Sequence, residues 1–87
     1  MSEPPRVWTV SEVSTALRRL IESRVPAMWI GGEVGNLTIH RSGHVYFTIK
    51  DGASQLNAVF FDGAAIVKRL GIAQGAQVVV FGNMGIH

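Results

Sequence analysis

Cysteine is absent from the 87-residue chain. That absence excludes disulfide staples, thiolate zinc sites and cysteine nucleophiles together, and it fits a reducing cytoplasm, the compartment expected for this protein. Carboxylates are scarce as well: the six Asp and Glu residues include no adjacent or paired set suited to a metal dyad or an acid–base couple. No apolar run approaches the roughly 18 residues that a membrane-spanning helix requires. Glu3, Pro4 and Pro5 stand where a signal peptide would place a basic and then an apolar region, so neither secretion nor a membrane partner is expected. Positive charge is also in short supply. Eight Lys and Arg against six acids leave a formal +2, and a nucleic-acid role would have to rest on clustering rather than on net charge. What the chain does have is hydrophobic content, 47% of its residues, which excludes general disorder. Its length suffices for one small domain that buries roughly 60% of its unfolded surface.

The sequence orders itself around residues 29–51, WIGGEVGNLTIHRSGHVYFTIKD. From His44 to Lys50 apolar and polar residues alternate, so Val45, Phe47 and Ile49 share one face while His44, Tyr46, Thr48 and Lys50 share the other. The first face calls for a core. The second suits a nucleic-acid strand, and it suits plain solvent equally. Upstream, residues 1–8 read as a loosely ordered lead-in, and 9–87 as a single domain. Thr9 and Glu12 form a capping box, with Trp8 and Val13 at the positions of a hydrophobic staple. Val10, Val13, Leu17, Leu20 and Ile21 then make one apolar stripe of a helix that must stop near Ser23 or Arg24, because Pro26 pushes Val25 out of the helical region.

A first strand is expected from about Ala27 to Leu37. Gly31, Gly32 and Gly35 are too many for a flat strand interior and predict a bulge or bend. The second strand follows a turn at Ser42-Gly43, and Asp51-Gly52 signals a hairpin into a third strand at Gln55–Phe61. Asp62 reads as the N-cap of a short helix over Ala64–Leu70, closed by Gly71, with Ile66 and Leu70 sharing a face and Lys68 and Arg69 turned away. A fourth strand is expected at Gln77–Phe81. The order α-β-β-β-α-β, mostly β with helices and with a bent first strand, is that of the small Greek-key barrel called the OB-fold, less its fifth strand.

Little in this pattern supports catalysis. His40 and His44 are four apart, but a turn separates them and the spacing has no helix to act through, so no metal site is expected. No serine sits in a nucleophile signature, and GGEVG follows no strand-to-helix junction that would cradle phosphate. The polypeptide is expected to be non-catalytic and to need no cofactor. Binding remains. The outward residues of strands two and three would be His44, Tyr46, Thr48 and Lys50, with Asn57, Val59 and Phe61. Tyr46 and Phe61 are candidates to stack bases, and Arg41 and Lys50 to contact phosphates. Against this, Tyr46 would equally shield a barrel wall and Phe61 would equally seal the short helix. Trp29 is expected to pack against the first helix.

Two blocks, Trp29-Ile30-x-Gly32-Glu33-Val34-x-Asn36 and Ser42-Gly43-His44-Val45-Tyr46-Phe47-Thr48-Ile49-Lys50-Asp51, carry a close resemblance to the N-terminal domain of exodeoxyribonuclease VII large subunits. Thr9-Val10-Ser11-Glu12, Val59-Phe60-Phe61 and Gly75-x-x-Val78-x-Val80-x-Gly82 extend it over nearly all of residues 8–84. The resemblance implies an OB-type domain that binds single-stranded DNA for a nuclease whose catalytic residues lie downstream, and whose large subunit pairs with a small helical subunit. His44, Tyr46 and Lys50 match the family motif directly. Thr38-Ile39, Asn57 and Asp62 stand where the family commonly carries basic residues, so weak binding with a shallow salt dependence is expected. The alternative function is a protein-interaction module of the same nuclease, with incidental nucleic-acid contact. A third, an anticodon-binding OB domain, is disfavoured by Ser-Gly-His-x-Tyr-Phe. The pattern also ends before a fifth strand, and the strand edges this leaves are expected to promote self-association.

Overall fold

A computed structural model describes residues 4–85. The lead-in assigned to 1–8 and the end of the domain assigned to 9–87 therefore fall partly outside the described residues. The element order is α1 (Val10–Arg24), β1 (Met28–Ile39), β2 (Val45–Lys50), β3 (Gln55–Phe60), α2 (Ala64–Leu70) and β4 (Gln77–Gly82). Trp29–Val80 form one unit, and the described residues on either side of it form another.

The helix α1 begins as its sequence dictates. The Thr9 side chain accepts the Glu12 N–H at 3.0 Å, and the Thr9 N–H donates back to Glu12 Oε1 at 3.0 Å. This reciprocal pair satisfies two donors that a helix start leaves without partners. The Thr9 backbone N–H, then its side chain and the Arg6 guanidinium, hold the Glu12 carboxyl below the usual glutamate range. Arg6 lies 2.6 Å from Glu12 and also covers the Trp8 ring at 3.7 Å from its centroid. The helix ends at Val25, whose extended backbone precedes Pro26. None of its residues is buried.

Four strands form one sheet in the order β3-β2-β1-β4, with antiparallel β1–β2 and β2–β3 pairs. This open antiparallel sheet with helices before and within it agrees with the OB-type order read from the sequence. The expected bend lies in β1, where the register with β2 shifts between Gly35 and Thr38, and Asn36 adopts φ +48°. β1 has to pass close to β2 on the N-terminal side of that bend. A Cβ on Gly32 would meet Ile49 Cγ1 and the Lys50 carbonyl at 2.8 Å, and one on Gly35 would meet Thr48 Oγ1 at 2.6 Å. At the β2–β3 turn Asp51 Oδ1 accepts the N–H groups of Ala53 (2.9 Å) and Ser54 (3.0 Å), which keep its carboxyl below the ordinary aspartate range.

The core is small: Val34, Val45 and Ile49 from the sheet, and Val67 from α2. One detail of α2 differs from expectation. Asp62 does not cap it; Asp62 has φ +54° and Gly63 takes the cap position without a side-chain bond. The Phe60 ring fills the space that a side chain at 63 would need. The residue turned inward is Val67, whereas Ile66 and Leu70 are exposed. The helix is pinned at its start by the Ala64 N–H donating to the Gly43 carbonyl at 3.0 Å, and this anchor sets its rotation. Gly71 closes it in the left-handed conformation, as its position implied.

Candidate nucleic-acid interface

The register fixes which residues share the outer face of the sheet. Tyr46 pairs with Thr38 on one side and Val59 on the other; Thr48 pairs with Gly35 and Asn57; Lys50 pairs with Glu33 and Gln55. Directly paired residues of an antiparallel sheet point the same way. Tyr46, Asn57 and Lys50 are therefore brought together on one exposed surface. Tyr46 is 44% exposed, with the His40 ring edge-on at 6.1 Å between centroids. The sequence had not marked His40 as part of the site. Its place is set by a turn in which the Ser42 N–H donates to His40 Nδ1 at 3.2 Å and the His40 N–H donates to the His44 carbonyl at 2.9 Å.

The candidate residues differ in what they offer. Thr48 lies on the outer face yet is only 7% exposed, because its hydroxyl packs over the bare backbone of Gly35. It supports the face rather than presenting a group to a ligand. His44 precedes β2 and is engaged structurally: its Nδ1 accepts the Asp62 N–H at 3.0 Å, while the Asp62 carboxylate stands 3.8 Å away. Phe61 sits just past β3, 64% exposed, with its ring edge-on to His44 at 5.2 Å. Phe61 thus presents most of its surface to solvent. Arg41 is exposed in the turn between β1 and β2.

Two features of this face escape a reading of single strands. Lys50 Nζ lies 3.4 Å from Glu33 Oε2, so the cation at the far end of β2 is partly neutralised by a carboxylate on the same surface. The pairing of 33 with 50 depends on where the bulge falls, and the sequence alone does not place it. Trp29 is the second feature: it is 71% exposed. Among the described residues no three His, Asp or Glu side chains gather in a way that would hold a metal ion.

Residues 8–87 match the family model described as an OB-fold nucleic acid binding domain. The chain belongs to that family. Within it, the sequence is 39% identical over 82 residues to an exodeoxyribonuclease 7 large subunit from Helicobacter pylori, a match that covers 93% of this chain and 20% of the relative. Large subunits of the same name from Neisseria meningitidis and Geobacter sulfurreducens are 37% and 34% identical, over 93% and 94% of this chain and 18% of each relative. The OB domain described here thus spans about a fifth of the length of the curated relatives it matches. Among the described residues no helix is long and apolar enough to cross a membrane.

Proposed function

We propose that this OB domain binds single-stranded DNA for an exodeoxyribonuclease VII large subunit and presents the strand to a catalytic region elsewhere in that protein. The observation that carries the proposal is the exposed Tyr46 ring at the middle of the outer face, with Asn57 beside it and the cations Arg41 and Lys50 toward its two ends. A base stacks on an aromatic ring whatever its identity, and flanking cations follow the phosphates, which is how OB domains hold single strands without reading sequence. In this reading the domain itself makes and breaks no bonds and needs no cofactor. The large subunit to which it belongs works in the cytoplasm with the family's small subunit.

Fluorescence anisotropy with labelled oligothymidylate tests the reading. Two cations on the face give a log–log salt slope of about −1 to −2, shallow for a nucleic-acid binder. Tyr46→Ala weakens binding by roughly tenfold, the scale of one lost base stack. Binding that prefers duplex, or none at low salt, would sink the proposal.

One observation favours a second role. The apolar residues of α1, among them Val10, Leu17 and Leu20, are exposed, as suits a helix that docks another protein surface. If Tyr46→Ala and Lys50→Ala leave DNA binding intact and instead block assembly of the nuclease, the domain is an interaction module.

A further inference from the structure

One ring nitrogen of His44 faces two opposite groups of the same residue. Its Nδ1 accepts the Asp62 N–H at 3.0 Å and stands 3.8 Å from Asp62 Oδ1. A nitrogen that accepts an N–H carries no proton of its own, so the neutral ring holds its hydrogen on Nε2. A second proton, taken from water, turns Nδ1 from acceptor into donor. The backbone bond is then lost. The carboxylate beside it receives the new N–H after a shift of about 1 Å, the difference from a charge-assisted bond length. Both partners are open to water, the His44 side chain being 30% exposed and that of Asp62 87%. His44 is fixed on its backbone side: its N–H reaches Ser42 Oγ at 3.3 Å, and its carbonyl accepts the His40 N–H at 2.9 Å. Asp62 holds φ at +54°, the left-handed region uncommon outside glycine, and the bond to His44 ties its N–H there.

The surroundings leave this exchange to the two residues. The Phe61 ring lies edge-on to the imidazole at 5.2 Å and brings no charge. On the turn, Arg41 is exposed and His40 Nδ1 faces Ser42. The helix α2 begins beside Gly43 and carries its cations, Lys68 and Arg69, in its last turn. Among the described residues Asp62 is the carboxylate within ion-pair distance of the imidazole. In the register that sets Val45 opposite Phe60, Asp62 comes one residue past Phe61, at the edge of the outer face. We propose that His44 is a proton-operated latch at this end of that face. Neutral, it holds the backbone of the β3–α2 connection; protonated, it releases that N–H, takes the Asp62 carboxylate instead and cancels its negative charge. Acidification through the range in which histidines titrate, about pH 6–7, then strengthens the grip on a polyanion. That consequence rests on the single-stranded DNA reading above, whereas the exchange of partners does not.

Nitrogen NMR of the isotopically labelled 87-residue chain reads the exchange directly. Between about pH 8 and about pH 5.5 the His44 Nδ1 signal is expected to pass from an unprotonated to a protonated nitrogen, and the Asp62 amide to shift with the same midpoint. Glutamine keeps an acceptor and does not titrate, so in His44→Gln the Asp62 amide is expected to stay in place; the amide spectrum also reports that the variant is folded. Oligothymidylate anisotropy over the same range is expected to give an affinity about two- to fivefold higher at the acid end in the parent, with a smaller change in His44→Gln. Asp62→Asn, which removes the charge outright, is expected to tighten binding at the alkaline end by a similar factor. An Asp62 amide that ignores the titration of His44, or an Nδ1 already protonated at the alkaline end, overturns the latch. A parent that binds with the same pH profile as His44→Gln overturns its effect on the strand. If no strand binds the parent or either variant while the Asp62 amide follows His44, the exchange stands and the single-stranded DNA reading falls.

Discussion

At the scale of single residues the outer face sets the exposed Tyr46 ring, the proposed base platform, against a carboxylate that would oppose a polyanion. Glu33 lies on the same surface as Tyr46 and 3.4 Å from the Lys50 ammonium. An exposed pair of this kind is worth little to stability, about 0.2–1 kcal/mol, so its removal is tolerable. Its effect on a polyanion is larger, because it both occupies the lysine and repels phosphate. Glu33→Gln is therefore expected to tighten single-stranded DNA binding about two- to fivefold at low salt, with the gain fading as salt screens it. Anisotropy across a salt series measures this, and unchanged affinity would place the strand away from Lys50. The sequence alone identified Tyr46 and Lys50 as outward, since alternation along one strand suffices for that. It did not reveal Glu33 as the partner of Lys50, nor Thr48 as buried. Both depend on how β1 passes over β2, and that is decided by Gly32 and Gly35 allowing a close approach that only three-dimensional register displays.

At the scale of elements, local signals proved readable where the chain satisfies its own backbone. The Thr9–Glu12 box, the Pro26 stop, the Asp51 turn and the Gly71 cap each complete their hydrogen bonds or fix their backbone within a few residues, and each appears where the sequence places it. The inner face of α2 was not readable. Seven residues make too short a helix for a stripe to define a direction, and a tertiary bond from Ala64 to Gly43 sets its rotation instead. The capping box of α1 supplies a test at this scale. Thr9→Ala is expected to cost about 1 kcal/mol of helix stability, visible as reduced helical circular dichroism on heating. Glu12 has a folded pKa below its unfolded one, so its stabilisation is present above the usual glutamate range. That stabilisation is lost as pH falls through the lowered value. Acid titration of the helical signal should show this step in the parent and a flatter response in Glu12→Gln. An identical acid profile in the two would mean that the box does not hold in solution.

At the scale of the whole molecule, β3 and β4 are the outer strands of the sheet among the described residues. β3 reads Gln-Leu-Asn-Ala-Val-Phe and β4 reads Gln-Val-Val-Val-Phe-Gly; neither contains a charge or a proline, the usual devices against edge pairing. Val78 and Val80 of β4 line a small apolar cavity of about 30 Å³ together with Val45 and Val67. A strand added at such an edge gains main-chain hydrogen bonds and apolar cover at once. The 87-residue chain is accordingly expected to self-associate reversibly as its concentration rises through the micromolar range, with sedimentation velocity following the shift. A lysine at an edge opposes pairing, so Asn57→Lys on β3 and Gln77→Lys on β4 show which edge is used, each restoring monomer only if its own strand forms the contact. Asn57→Lys adds a further readout, since the new cation sits on the face beside Thr48 and should also tighten oligothymidylate binding. A parent that stays monomeric at high concentration would show that the open edges are protected by other means.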